Sequence, residues 1–185
     1  TYTVATRSFD EQAKTRVIKE GSFFMRSLSD PLISNGSTLE MTPERLGWLE
    51  PTDADLPLEQ LREKYRQHGY LWLKGFFERD VVLQFRDHFF ETIFSRRPQA
   101  YFEIVSSQEY EDFCTMPRLW NFYQKFLEGQ PYLHKRKLLR FNYPGEEHCT
   151  GGHYDLIYLR AGTDQLCTSW IPLGDIPVEM GGLLY

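Results

Sequence analysis

Two residues of this chain, His153 and Asp155, have the types and spacing of metal ligands, with Tyr154 between them. The stretch 151–159 reads as a strand, and on a strand residues i and i+2 point to the same face. The imidazole and the carboxylate then converge while Tyr154 faces away. Such a pair, joined by a distant second His, makes the 2-His-1-carboxylate facial triad of non-haem Fe(II) oxygenases. Three protein ligands on one octahedral face leave three positions for a bidentate co-substrate and O₂. The tripeptide is short enough to arise by chance, and the plain alternative is a structural His beside a surface Asp.

The elements that must position this pair are read from the rest of the chain. Residues 1–57 read as an irregular N-terminal arm, rich in Ser, Thr, Gly and Pro, with a helix start at Thr42-Pro43-Glu44-Arg45 and turn-rich punctuation over 51–57. From 58 to 68, Leu58, Leu61 and Tyr65 fall at helical spacing, and Gly69 stands where a C-cap ends a helix. The apolar run Tyr70-Leu71-Trp72-Leu73-Lys74-Gly75-Phe76-Phe77 reads as a strand. Asp80 is placed to cap a second helix over 81–94, with Val82, Phe85, Phe89 and Ile93 on one face. Periodicity is poor over 95–130 apart from an aromatic-rich helix at 116–126, broken by Gly129-Gln130-Pro131. Strands are expected at 137–143, 151–159, 165–173 and from 182 onward. A helical front (58–130) followed by core strands (132–185) predicts an α+β chain whose catalytic part is an all-β barrel or jelly roll.

Composition narrows the function classes. The 185 residues suit one domain, and 41% hydrophobic against 25% charged residues gives a proper core rather than a disordered tail. Aromatics at 16% point to a bulky core or an aromatic-lined pocket. A net charge of −5 excludes a general electrostatic footprint for nucleic acid. No run approaches the ~20 apolar residues of a membrane span, and the polar first twenty residues do not read as a secretory signal. Cys114, Cys149 and Cys167 are odd in number without CxxC spacing, which favours a reducing, cytoplasmic setting over a disulfide scaffold. The start at Thr1 and the apolar run Met180-Gly181-Gly182-Leu183-Leu184-Tyr185 at the end suggest the front part of a longer protein.

Several segments together resemble the phytanoyl-CoA dioxygenase (PhyH) family of Fe(II)- and 2-oxoglutarate-dependent oxygenases. They are Gly69 to Phe77, Leu139-Arg140-Phe141-Asn142-Tyr143, His153-Tyr154-Asp155 and Thr168-Ser169-Trp170-Ile171-Pro172-Leu173-Gly174-Asp175, in the family's order and spacing, then the Met180 to Tyr185 run. The similarity covers roughly 58–94 and 132–185. The resemblance implies a double-stranded β-helix, a jelly roll with N-terminal helices packed on it and iron between its two sheets. It implies His153 and Asp155 as iron ligands, Asn142 and Trp170 at 2-oxoglutarate, and Arg140 at the primary substrate. It also implies a hydrophobic small-molecule substrate (lipid, terpenoid or polyketide-like) with O₂ as the oxidant. A carboxylate at Asp155 favours hydroxylation or desaturation over halogenation, since related halogenases carry a small residue there. A peroxisomal address is the further family analogy, and a homo- or hetero-oligomer is open as a partner state.

The departures are specific. The family's distal His, and the Arg that clamps the far carboxylate of 2-oxoglutarate, fall beyond Tyr185. His134 and His148 precede the motif, His68 and His88 sit on predicted helices, and position 151 is Gly where several relatives carry a polar residue. Plainer readings stand beside each role. Arg140 pairs with Glu146 or Glu147, Asn142 satisfies a turn, and Trp170 is core. Lys135-Arg136-Lys137 is a solvated strand edge or attracts an acidic substrate such as a CoA thioester, and the cysteines are buried bystanders. The reading of a different class is a non-catalytic PhyH-like binding or heteromer partner with an incomplete triad. A cupin-type metal protein without 2-oxoglutarate fits the motif but not the helical front.

Overall fold

The computed structural model describes residues 2–7, 31–42, 44–45, 47–95, 99–140, 150–159, 162–177 and 182–183. Its strands are β1 (Tyr2–Arg7), β2 (Ile33–Ser34), β3 (Ser37–Thr38), β4 (Pro51–Thr52), β5 (Tyr70–Lys74) and β6 (Cys167–Trp170). Its helices are α1 (Leu58–His68), α2 (Arg79–Phe94), α3 (Ala100–Val105), α4 (Gln108–Cys114), α5 (Pro117–Phe126) and the single turn α6 (Asp155–Tyr158).

Helix α1 forms where the spacing places it, with Leu61 and Tyr65 buried one turn apart. Gly69 ends it in the left-handed region (φ 75°), and its N–H reaches the Tyr65 carbonyl at 2.7 Å. A side chain is disfavoured there, so glycine is the natural stop. The chain turns directly into β5, whose Leu71 and Leu73 point to one face and are fully buried. Leu61, Tyr65, Leu71, Leu73, Phe76, Phe77, Val82, Leu119 and Phe126 make one core. Phe85, Phe89, Ile104, Tyr110 and Phe113 make a second, centred on the stack of Phe85 and Phe113 with ring centroids 4.3 Å apart. Helix α2 feeds both, through Val82 and then through Phe85 and Phe89. Ile171 and Leu173, just past β6, are packed against both cores and so anchor that strand.

The sheet runs β4-β5-β1-β6 with every pair parallel. Its register sets Val4 opposite Leu71 and Thr3 opposite Thr168. Residues 1–57 are therefore not uniformly irregular: β1 lies between β5 and β6, and β4 extends the sheet on the other side of β5. Among the described residues the strands form this sheet and the β2–β3 hairpin, and no closed barrel. No helix among them is long and apolar enough to cross a membrane.

Other expectations change in detail. No helix starts at Glu44 and Arg45, which lie in a turn, and the Arg45 N–H donates to the Thr42 carbonyl at 2.9 Å. The N-cap of α2 is Glu78, and Asp80 sits in the first turn, where its charge favours the positive end of the helix dipole. Residues 137–140 carry no strand, and two of their carbonyls accept tyrosine hydroxyls. Tyr110 donates to Leu138 at 2.8 Å and Tyr101 to Leu139 at 3.2 Å. The stretch 151–159 is a loop that enters α6, and the expected strand over 165–173 shortens to β6. Residues 141–143, 184 and 185 lie outside the described residues.

Candidate metal site

His153 and Asp155 converge without a strand beneath them. Asp155 is the first residue of α6, and the turn closes by the Leu159 N–H onto its carbonyl at 2.8 Å. Tyr154, between the two, is extended (φ −105°, ψ 120°), and the imidazole of His153 lies beside the carboxylate of the new turn. Nε2 of His153 stands 3.2 Å from Oδ1 of Asp155, with the two side chains 33% and 18% exposed. The ring's other nitrogen, Nδ1, is 2.7 Å from the Gly151 carbonyl, and Tyr158 meets the ring edge-on at 5.7 Å. The second carboxylate oxygen, Oδ2, accepts the hydroxyl proton of Thr168 on β6 at 2.6 Å.

The donor set decides what this pair can take up. A neutral imidazole carries one N–H, yet both ring nitrogens face acceptors, the Gly151 carbonyl and the Asp155 carboxylate. If Nδ1–H donates to the carbonyl, the Nε2 lone pair confronts a carboxylate oxygen, an arrangement relieved by a cation between them. Protonation of the ring relieves it equally well. The backbone carbonyl on Nδ1 and the hydroxyl on Oδ2 are the kind of outer partners that orient metal-ligating imidazole and carboxylate. The residues present therefore fit two ligands of a facial site. Among the described residues no group of three His, Cys, Asp or Glu side chains forms that could hold a metal ion.

The other sequence candidates are distributed around this pair. Arg140 is exposed and donates from Nη1 to the Thr150 hydroxyl at 2.8 Å, which sets it at the head of the 150–155 segment. Trp170 is half-buried on β6, two residues past Thr168 and so on the same strand face. Asn142, Glu146, Glu147, His148 and Cys149 lie outside the described residues. Lys137 is not a solvated edge: its ammonium pairs with Glu111 at 3.1 Å, and its side chain is only 12% exposed. The two described thiols, Cys114 and Cys167, are half-buried. Burial pushes Cys114 up to about 11 despite the nearby Lys137 charge, and burial also raises Cys167, opposed by a hydrogen bond with Tyr65.

Two contributors escaped the sequence reading. Thr168 falls in one of the family-like segments, but only the fold brings it to Asp155, thirteen residues earlier. The hairpin residues Ser34 and Asn35 bond to Gly152, more than a hundred residues away. Asn35-Gly36 is a strong hairpin signal in sequence, but nothing local announces what the hairpin meets. No protein-family model, curated protein or solved structure matches this chain.

Proposed function

We propose that the chain carries part of the iron site of a PhyH-like, Fe(II)- and 2-oxoglutarate-dependent dioxygenase with a jelly-roll catalytic fold. Its substrate is a hydrophobic small molecule. The observation that carries this reading is the approach of His153 Nε2 to Asp155 Oδ1 at 3.2 Å with Nδ1 already engaged by the Gly151 carbonyl. His153 and Asp155 are the two metal ligands, and the third lies outside the described residues. Thr168 holds the Asp155 carboxylate through Oδ2 and leaves Oδ1 for the metal. Trp170, on the same face of β6 as Thr168, forms a wall beside the co-substrate, which Asn142 helps to hold. Arg140, exposed near Thr150, reaches the substrate. The chemistry such a centre supplies when loaded is O₂-dependent oxidation of a C–H bond, coupled to conversion of 2-oxoglutarate to succinate and CO₂. The residues themselves bind, orient and limit water, as expected where the cofactor carries the difficult step. The cysteine usage supports a reducing, cytoplasmic setting.

A second reading is a non-catalytic binding or heteromer partner. It is favoured by the Thr168–Asp155 bond, which gives the carboxylate a structural part in tying the 150–155 loop to β6. The two readings separate in an anaerobic titration of the protein with Fe(II) and 2-oxoglutarate. The oxygenase reading expects a visible metal-to-ligand charge-transfer band that is lost in His153→Ala. Folded protein that gives no band abandons that reading in favour of the binding partner.

A further inference from the structure

The peptide that supports His153 is itself held from far away in the chain. In the β2–β3 turn, Asn35 and Gly36 both adopt positive φ (51° and 79°), the geometry of a type I′ hairpin. From this turn the Asn35 side-chain amide donates to the Gly152 carbonyl at 3.0 Å, and the Ser34 hydroxyl accepts the Gly152 N–H at 2.8 Å. Both polar groups of residue 152 are thus taken by the hairpin. The neighbouring Gly151 is seated so closely that a Cβ on it would collide with Asn35 Oδ1 and lie 3.1 Å from the Asn35 backbone nitrogen. Gly151 is also the residue whose carbonyl meets His153 Nδ1. The absence of a side chain at 151 is therefore what lets the hairpin touch the segment that supports the imidazole.

We propose that Ser34 and Asn35 are positioning residues for His153: the β2–β3 turn clamps Gly151-Gly152, fixes the Gly151 carbonyl, and so holds the ring with its proton on Nδ1 and Nε2 turned toward Asp155. This rests on the metal reading above for its consequence, but the clamp has a signature of its own. Outer partners of a metal-ligating His are worth about 10–100-fold in affinity. One further step out, Asn35→Ala is expected to weaken binding of Co(II), used as an optical probe, by about tenfold. Gly151→Ala forces the Asn35 side chain away and is expected to lose at least as much. Asn35→Gly keeps the left-handed backbone and clears that space, so Gly151→Ala combined with Asn35→Gly should recover part of the loss suffered by Gly151→Ala alone. Two losses that simply add would show independent sites.

The test uses the full chain in two forms. In metal-free protein, imidazole ¹⁵N shifts report which His153 nitrogen carries the proton; in Co(II)-titrated protein, absorption reports affinity. The clamp expects the Nδ1–H form in the wild type, its loss in Asn35→Ala and Ser34→Ala, and lowered Co(II) affinity in both. Asn35 is exposed, so these variants should keep the wild-type circular dichroism. Tautomer populations equal to wild type in Asn35→Ala, Ser34→Ala and Gly151→Ala overturn the clamp. Wild-type protein that binds no Co(II) while its His153 tautomer shifts in Asn35→Ala overturns the metal reading and upholds the clamp.

Discussion

At the scale of single residues, the surroundings of His153 and Asp155 set which nitrogen and which oxygen face each other, since Nδ1 meets the Gly151 carbonyl and Oδ2 the Thr168 hydroxyl. Thr168 is the most exposed of these arrangements to experiment, because a single hydroxyl holds Oδ2. Thr168→Val should lower Co(II) or Fe(II) affinity by about 10–100-fold, the usual worth of an outer-sphere partner, while Thr168→Ser keeps the donor and most of the affinity. Equal affinities in the valine and serine variants would remove Thr168 from the site. The motif itself was legible in sequence, but the reason given for its convergence was not the right one. The pair meets because Asp155 opens a helical turn, not because alternate strand residues share a face. Among the described residues Arg140 donates to the Thr150 hydroxyl, while Glu146 and Glu147, its plainer partners in sequence, lie outside them.

At the scale of elements, the segment from α1 to α2 follows local rules closely. Helical spacing, a left-handed glycine and an apolar run specify α1, Gly69 and β5 with no help from distant residues. Gly69→Ala should cost about 1–2 kcal/mol, the price of a Cβ in the left-handed region. Leu71→Ala, emptying a fully buried site, should cost about 2–5 kcal/mol. Urea unfolding distinguishes them, and a smaller loss at Leu71 than at Gly69 would contradict the placement of the core. The short helices α3 and α4 were not legible. They are six and seven residues long, too short to display a period, and they exist because Ile104, Tyr110 and Phe113 close over Phe85 and Phe89. The Ser107 side chain caps α4 by accepting the Tyr110 N–H at 3.1 Å, a signal visible only once the helix is known. The 137–140 stretch went the other way: apolar alternation suggests a strand, whereas none forms there and two of its carbonyls accept tyrosine hydroxyls.

At the scale of the whole molecule, several acidic groups are buried in their protonated forms, which makes the fold sensitive to alkali. An unfolded thiol ionises near pH 8.5, whereas burial holds Cys114 at about 11. Below about pH 8.5 both states keep the proton and the contribution is fully present. Between the two values the unfolded chain sheds a proton that the folded chain keeps, so stability falls by about 1.4 kcal/mol per pH unit for such a group. Burial also raises the hydroxyls of Tyr110 and Tyr123 above their ordinary range, with Tyr123 hydrogen-bonded to Ser169 on β6. They extend the loss above about pH 10. Urea midpoints measured from pH 8 to 11 should therefore decline, with the part below about pH 10 reduced in Cys114→Ala. A flat profile would mean these side chains are not buried as described.

The sequence by itself determined the features that depend on a few neighbouring residues. These are the helix of 58–68 with its glycine stop, the apolar strand after it, the aromatic helix ending at Phe126, and the spacing of His153 and Asp155. Tertiary structure decided what depends on long-range pairing. It set β1 between β5 and β6, brought Thr168 to the carboxylate, and seated the Asn35 turn on Gly151. The reason is physical. Helix periods and left-handed glycines are fixed by local sterics and backbone hydrogen bonds, while parallel strand partners and loop-to-loop hydrogen bonds join residues whose separation carries no local signal.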